Sequence, residues 1–190
     1  MSILILGLLL FFGVHVLSTL RGPRAKLLAR FGEGPYKLGH SALAALGLVL
    51  VIWGFARYRE AGLIPVWDPP TWTRHLTILL MWVSFIALAA IGKKPSRIRG
   101  WLRHPMLAGV KIWAFAHLLA NGDLGGMILF GSFLAFAVYD RIAVTRRGDP
   151  GAPRLDAFTP ADARILAGGT IAYIVMILLH PYVIGVSVLA

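Results

Sequence analysis

The sequence predicts an all-α, polytopic membrane helix bundle with about six transmembrane helices, and three observations predict it. Of the 190 residues, 58% are hydrophobic and only 14% are charged, with a mean hydropathy of +0.76; soluble domains average about 45–50% apolar and about 25% charged. The apolar residues fall in runs near the ~20 residues that cross ~30 Å of hydrocarbon. The charges sit in short segments between those runs. Backbone groups in lipid must pair within their own segment, so helices are the expected form of each run. No polar stretch is long enough for a second domain, which leaves one integral membrane domain over 1–190.

The first span is read at about 2–20, apolar except for His15, Ser18 and Thr19. Its N-terminus, Met-Ser-Ile-Leu, has no basic segment and no small-residue cleavage site close behind, so it reads as a retained span. A basic loop at 21–37 leads to the second span, 38–57. Trp67-Asp68-Pro69-Pro70-Thr71-Trp72 follows; its prolines oppose helix, and its tryptophans suit the head-group layer. The third span is 75–92, and the basic loop 93–103 leads to the fourth, 105–120. That helix opens on Pro105, which suits a first turn, and stops at Asn121-Gly122. A tight turn separates it from the fifth span, 124–139. A mixed-charge connection at 140–164, with Pro150, Pro153 and Pro160, leads to the sixth, 165–185.

The connections after spans one, three and five hold 5 Lys and Arg each, the one after span two holds 3, and the tails hold none. The positive-inside rule then puts both termini on the periplasmic side of a bacterial inner (cytoplasmic) membrane, with Arg103-His104 at the cytoplasmic face. The same layout explains the net charge of +11 as a membrane-orientation and lipid-head-group signal and excludes nucleic acid as the partner. Cysteine is absent, which excludes disulfides, thiolate ligands, iron–sulfur clusters and covalently attached c-type haem.

Phosphate loops, H-E-x-x-H zinc sites and G-x-S-x-G nucleophiles are missing, and no carboxylate pair lies in an apolar run. What remains is imidazole inside apolar helices. Neutral imidazole ligates a metal without carrying charge into lipid, and two histidines from different helices can sandwich a haem iron. His117 is the best single candidate: Trp113 lies one turn before it and Asn121 one turn after, so the three share a face. Lys111 and His104 share a different face, more than ~100° away. His15 and His180 are the other span histidines, and His40 and His75 lie at span ends as interfacial side chains. For His117 and His15 a hydrogen bond to a neighbouring helix is the alternative to ligation, and for His180 an interfacial side chain is.

His15, Gly32-Glu33 with Tyr36-Lys37, Trp67-Asp68-Pro69-Pro70 with Trp72 and His75, Arg103-His104-Pro105-Met106, Trp113 through Leu118, Asn121-Gly122-Asp123, Asp140-Arg141 and His180-Pro181 fall in an order that resembles NnrU-domain membrane proteins over nearly the whole chain. That resemblance implies a role in denitrification and nitric oxide metabolism. The similar zeta-carotene isomerase of plants and cyanobacteria, a haem b enzyme that isomerises a cis double bond in a polyene, implies haem b with His15 and His117 as axial ligands. Its cysteine three residues before the second histidine is Ala114 here. Arg103 and His104 are then candidates for the propionates, Trp113 and Asn121 for the cofactor edge, and a lipophilic or small gaseous molecule for the substrate. Counted from span ends at 1.5 Å per residue, His15 and His117 differ in depth by about 10 Å, and His180 is nearer in height to His117, so His180 is the runner-up ligand. Arg103-His104-Pro105 with Gly109 is also similar to isoprenylcysteine and phospholipid methyltransferases that bind S-adenosylmethionine, but their acidic stretch is replaced here by Asp140-Arg141 and further basic residues. A non-enzymatic accessory role is the remaining alternative.

Overall fold

The computed structural model describes residues 1–92 and 94–188; Lys93, the first residue of the basic loop, lies outside them. The described residues form helices α1 (Ser2–Thr19), α2 (Arg21–Phe31), α3 (Glu33–Glu60), α4 (Thr71–Ala89), α5 (Arg97–Leu102), α6 (Pro105–Ala120), α7 (Leu124–Arg146) and α8 (Pro160–Val183). The only extended pairing among them is an isolated bridge between Pro65 and Asp123. The chain is therefore all-helical, as the sequence predicts. Helices α1, α3, α4, α7 and α8 are long and apolar enough to cross a membrane. The fourth predicted span, α6, has 16 residues, about 24 Å at 1.5 Å per residue and shorter than a full hydrocarbon crossing. Large apolar side chains such as Leu9, Ile52, Ile171 and Leu178 face outward, as lipid contact requires.

Several predicted boundaries move, each for a local reason. The basic stretch 21–37 is not a loop. It folds as α2 and the first turn of α3, divided at Gly32, whose φ of 80° is one that only glycine adopts without strain. Basic residues are good helix formers, so charge marks the end of an apolar run and not the end of a helix. For the same reason α7 continues past Tyr139 through Asp140-Arg141 to Arg146. Helix α8 starts at Pro160, five residues before the predicted 165, because Thr159 and Asp162 form a reciprocal capping box around a proline at the first position. The basic loop at 93–103 contains α5, whose N-cap Ser96 accepts from the Arg99 N–H at 3.0 Å.

The chain divides into two compact units. Unit 1 comprises Met1–Trp67 and Asp123–Ser132. Its centre is α1 packed along α3 through glycines: a Cβ on Gly47 would stand 2.7 Å from the Phe11 backbone nitrogen, one on Gly7 would stand 2.6 Å from that of Val51, and one on Gly54 would run into the Leu4 backbone. Tyr58, 3% exposed, closes the end of α3 by accepting the Ile64 N–H at 2.9 Å. The Ile64 carbonyl accepts the Leu124 N–H at 2.9 Å, and Asp123 Oδ1 caps the start of α7 through the Gly126 N–H at 2.7 Å. Unit 2 comprises Asp68–Gly122 and Phe133–Ala190. There α4 packs against both α6 and α8. Ser84 donates to the Gly109 carbonyl at 2.9 Å and Thr77 to the Ala116 carbonyl at 2.9 Å, while Tyr173 of α8 donates to the Ile78 carbonyl at 3.0 Å.

Candidate functional site

Helix α6 carries His117, and unit 2 holds it in place by its backbone. Thr77 and Ser84 are two turns apart on α4, and the carbonyls they reach, Ala116 and Gly109, are two turns apart on α6. This pair of grips sets the rotation and depth of α6 relative to α4. Ala114 and Ala116, both 0% exposed, let the helices approach closely. His117 follows the gripped Ala116 directly.

Around His117, the face read from the sequence is the one formed. The His117 Nδ1 hydrogen-bonds the Trp113 carbonyl at 2.8 Å, and the two rings lie 5.2 Å apart. Trp113 in turn meets Phe133 edge-on at 5.2 Å. Asn121 donates its side-chain Nδ2–H to the His117 carbonyl at 2.7 Å, so it caps α6 as well as lining that face. A backbone carbonyl on Nδ1 is a bond that commonly orients metal-ligating histidines. His180 lies on α8 of the same unit. Its own Nδ1 bonds the Val186 carbonyl at 2.7 Å, beside Pro181 inside α8.

His15 of unit 1 repeats the pattern. Its Nδ1 hydrogen-bonds the Phe11 carbonyl one turn earlier at 2.6 Å, with the Phe11 ring 4.3 Å away. The His40 ring on α3 lies 5.3 Å from the His15 ring, close to perpendicular. Read from the sequence as a span-end histidine, His40 stands two turns inside its helix because α3 begins at Glu33, and its Nε2 is buried.

Arg103 and His104 form the turn between α5 and α6. Arg103 is exposed and holds φ at 59°, the one positive value among the described non-glycine residues. Its carbonyl accepts the Ala152 N–H at 2.8 Å, and the His104 Nε2 is buried against Gly151, whose own φ of 68° brings its backbone close. The turn is braced further by Asp162, 0% exposed, whose carboxylate accepts the Arg97, Ile98 and Thr159 N–H groups at 3.1, 2.8 and 2.8 Å and the Thr159 hydroxyl at 2.9 Å. The Arg97 guanidinium lies over the Trp101 ring at 4.7 Å and the Phe158 ring at 5.2 Å. Sequence reasoning did not single out Asp162, Thr77 or Ser84, and it read His40 as an interfacial side chain. The T-P-x-D step at Thr159 was a readable signal for Asp162, and hydroxyls spaced seven apart in an apolar run were one for Thr77 and Ser84.

No curated protein and no solved structure matches the chain. The family model described as NnrU protein matches residues 3–188. With nearly every residue inside that match and five helices able to span a bilayer, the chain belongs to the NnrU protein family and is a multi-pass membrane protein.

Proposed function

We propose that this NnrU-family protein binds haem b, with His117 and His15 as its candidate axial ligands, and that it serves nitrogen-oxide (denitrification) metabolism in the bacterial inner membrane or acts as a polyene-isomerase-like protein. One observation carries the reading. Both histidines sit in apolar helices with Nδ1 hydrogen-bonded to the carbonyl four residues earlier, the kind of backbone bond that orients a metal-ligating imidazole. The donor set fits the group, because haem iron takes neutral imidazole and needs only one or two ligands from protein. Bound haem would supply one-electron exchange or a Lewis-acid position for a small gas or a polyene.

The chain's own residues supply the setting. Trp113 presents a flat ring beside His117, Asn121 fixes the end of the helix behind it, and the Thr77 and Ser84 grips keep the imidazole at one depth. His180, on α8 of the same unit as His117, is the second choice of partner ligand.

The test is the optical spectrum of protein purified from haem-replete cells. A Soret band is expected, lost or strongly shifted in His117→Ala and in His15→Ala. If His180→Ala shifts it and His15→Ala does not, the ligand pair changes. A colourless protein, or a band indifferent to all three substitutions, ends the haem reading. A deletion strain grown under denitrifying conditions separates a catalytic from an accessory role: lowered nitrite and nitric oxide reductase levels favour the accessory role. The backbone strain at Arg103 is the observation that favours the methyltransferase-like reading, since strained residues cluster at functional sites. Absence of binding heat with S-adenosylmethionine in calorimetry removes it.

A further inference from the structure

We propose that α2 is a docking surface for anionic phospholipids, with Arg21, Lys26 and Arg30 on their phosphates and Leu20 and Phe31 against their acyl chains. Position is the first ground. Helices α1 and α3 run antiparallel, since their close approaches bring Leu4 to Gly54 and Phe11 to Gly47. The end of α1 therefore lies beside the start of α3, and the Ser18 and Tyr36 hydroxyls hydrogen-bond there at 3.1 Å. Both helices are long and apolar enough to span, and α2 is joined to each through a single residue, Leu20 and Gly32. It has 11 residues and none of them is buried. Two spans that end side by side hold so short a connection at the head-group layer.

Charge is the second ground. Helix α2 carries Arg21, Arg24, Lys26 and Arg30 and no acid. The nearest carboxylate in the sequence, Glu33, pairs with Lys37 at 2.7 Å. Arg24 lies over the Tyr36 ring at 6.0 Å and Arg30 over the Phe31 ring at 5.2 Å, but no ion pair among the described residues reaches the cations of α2. At the other end of α3, by contrast, Arg57 has Glu60 at 2.8 Å. Guanidinium groups take phosphate oxygens two at a time, and Lys and Arg at this level are attracted to an anionic lipid surface. The apolar side chains give the partner its second property. Leu20, Phe31 and Leu38 are exposed, and each is next in sequence to a cation. A soluble polyanion would meet the charges and leave these side chains in water, whereas a phospholipid meets both with one molecule. The inference goes beyond the haem reading and does not depend on it.

The test uses the full chain in nanodiscs mixed from phosphatidylcholine and phosphatidylglycerol, with the lipids that stay on the protein counted by native mass spectrometry. Retained phosphatidylglycerol is expected to exceed its share of the disc by about tenfold, and by less as salt is raised. The triple variant Arg21→Gln, Lys26→Gln, Arg30→Gln should bring it back to that share, while Arg21→Lys with Arg30→Lys should keep most of the excess. Arg146→Gln, Arg154→Gln, Arg164→Gln makes the same charge change on exposed residues of unit 2 and should also keep most of it. Retention of the two lipids in proportion to the disc, an equal loss in both triple variants, or displacement of the lipid by soluble glycerophosphoglycerol overturns the proposal. The unaltered chain carries the test if the α2 variant does not fold: an excess indifferent to salt overturns it too. Because the readout involves no iron, a colourless protein that retains phosphatidylglycerol leaves this surface standing while the haem reading falls.

Discussion

Units 1 and 2 hold their helices together by different means. In unit 1, α1 and α3 meet chiefly backbone to backbone at Gly7, Gly47 and Gly54, with no room for a single added carbon, and one hydroxyl pair, Ser18 with Tyr36 at 3.1 Å, crosses near the end of α1. In unit 2, glycines at 109 and 169 also allow close approach, but hydroxyls and a carboxylate cross between elements as well: Ser84 and Thr77 on α6, Tyr173 on α4, and Asp162 on the start of α5. Lipid tails are as apolar as leucine, so helices in a membrane gain little from hydrophobic contact and associate through close packing or polar bonds. Close packing leaves side chains free to turn; polar grips fix rotation and depth. It is in the gripped unit that the Trp113–His117–Asn121 face is assembled.

The comparison breaks most sharply at Asp162. Asp162→Ala leaves three N–H groups without their acceptor, that of Ile98 buried and those of Arg97 and Thr159 partly so, and an unmet buried donor costs about 1–3 kcal/mol. A loss of at least about 3 kcal/mol is expected in detergent unfolding, with faster tryptic cleavage after Arg97 and Arg99. An unchanged midpoint and digestion pattern would show that α5 stands without its carboxylate cap. Next in size is Gly54→Val, which forces α1 off α3 and should cost about 2–3 kcal/mol, as overpacked cores do. If unfolding is unaffected, the glycine seam does not hold unit 1.

Ser84→Ala removes one hydroxyl grip from α6 and should cost about 0.6 kcal/mol, with about 1.7 kcal/mol as the upper bound for such bonds. Thr77→Val should match it, and the double variant should exceed their sum if the two fix one degree of freedom, which a double-mutant cycle measures. The smallest effect has the opposite sign. Gly13→Ala meets nothing within 4 Å and should stabilise α1 by up to about 1 kcal/mol through helix propensity alone. A destabilised Gly13→Ala would mean that the glycines of α1 matter for more than the seam.

Much of the fold was legible because hydropathy is a property of consecutive residues. The apolar runs at 2–20, 38–57, 75–92, 105–120, 124–139 and 165–185 each lie largely within a helix. The ends were less legible, since a run stops where lipid stops and a helix stops where a cap stops it, as Gly32, Arg146 and Thr159 show. On the candidate site, the nearness of Trp113 to His117 followed from the 3.6-residue period, and the two rings lie 5.2 Å apart. The sequence by itself determined an all-helical membrane chain, the apolar setting of its histidines and the shared face of Trp113, His117 and Asn121. Only the tertiary structure decided that His40 stands beside His15, that Ser84 and Thr77 hold α6, and that a buried Asp162 caps α5. Those pairings join residues 25 to 65 positions apart, and local periodicity carries no information about which helix a face will meet.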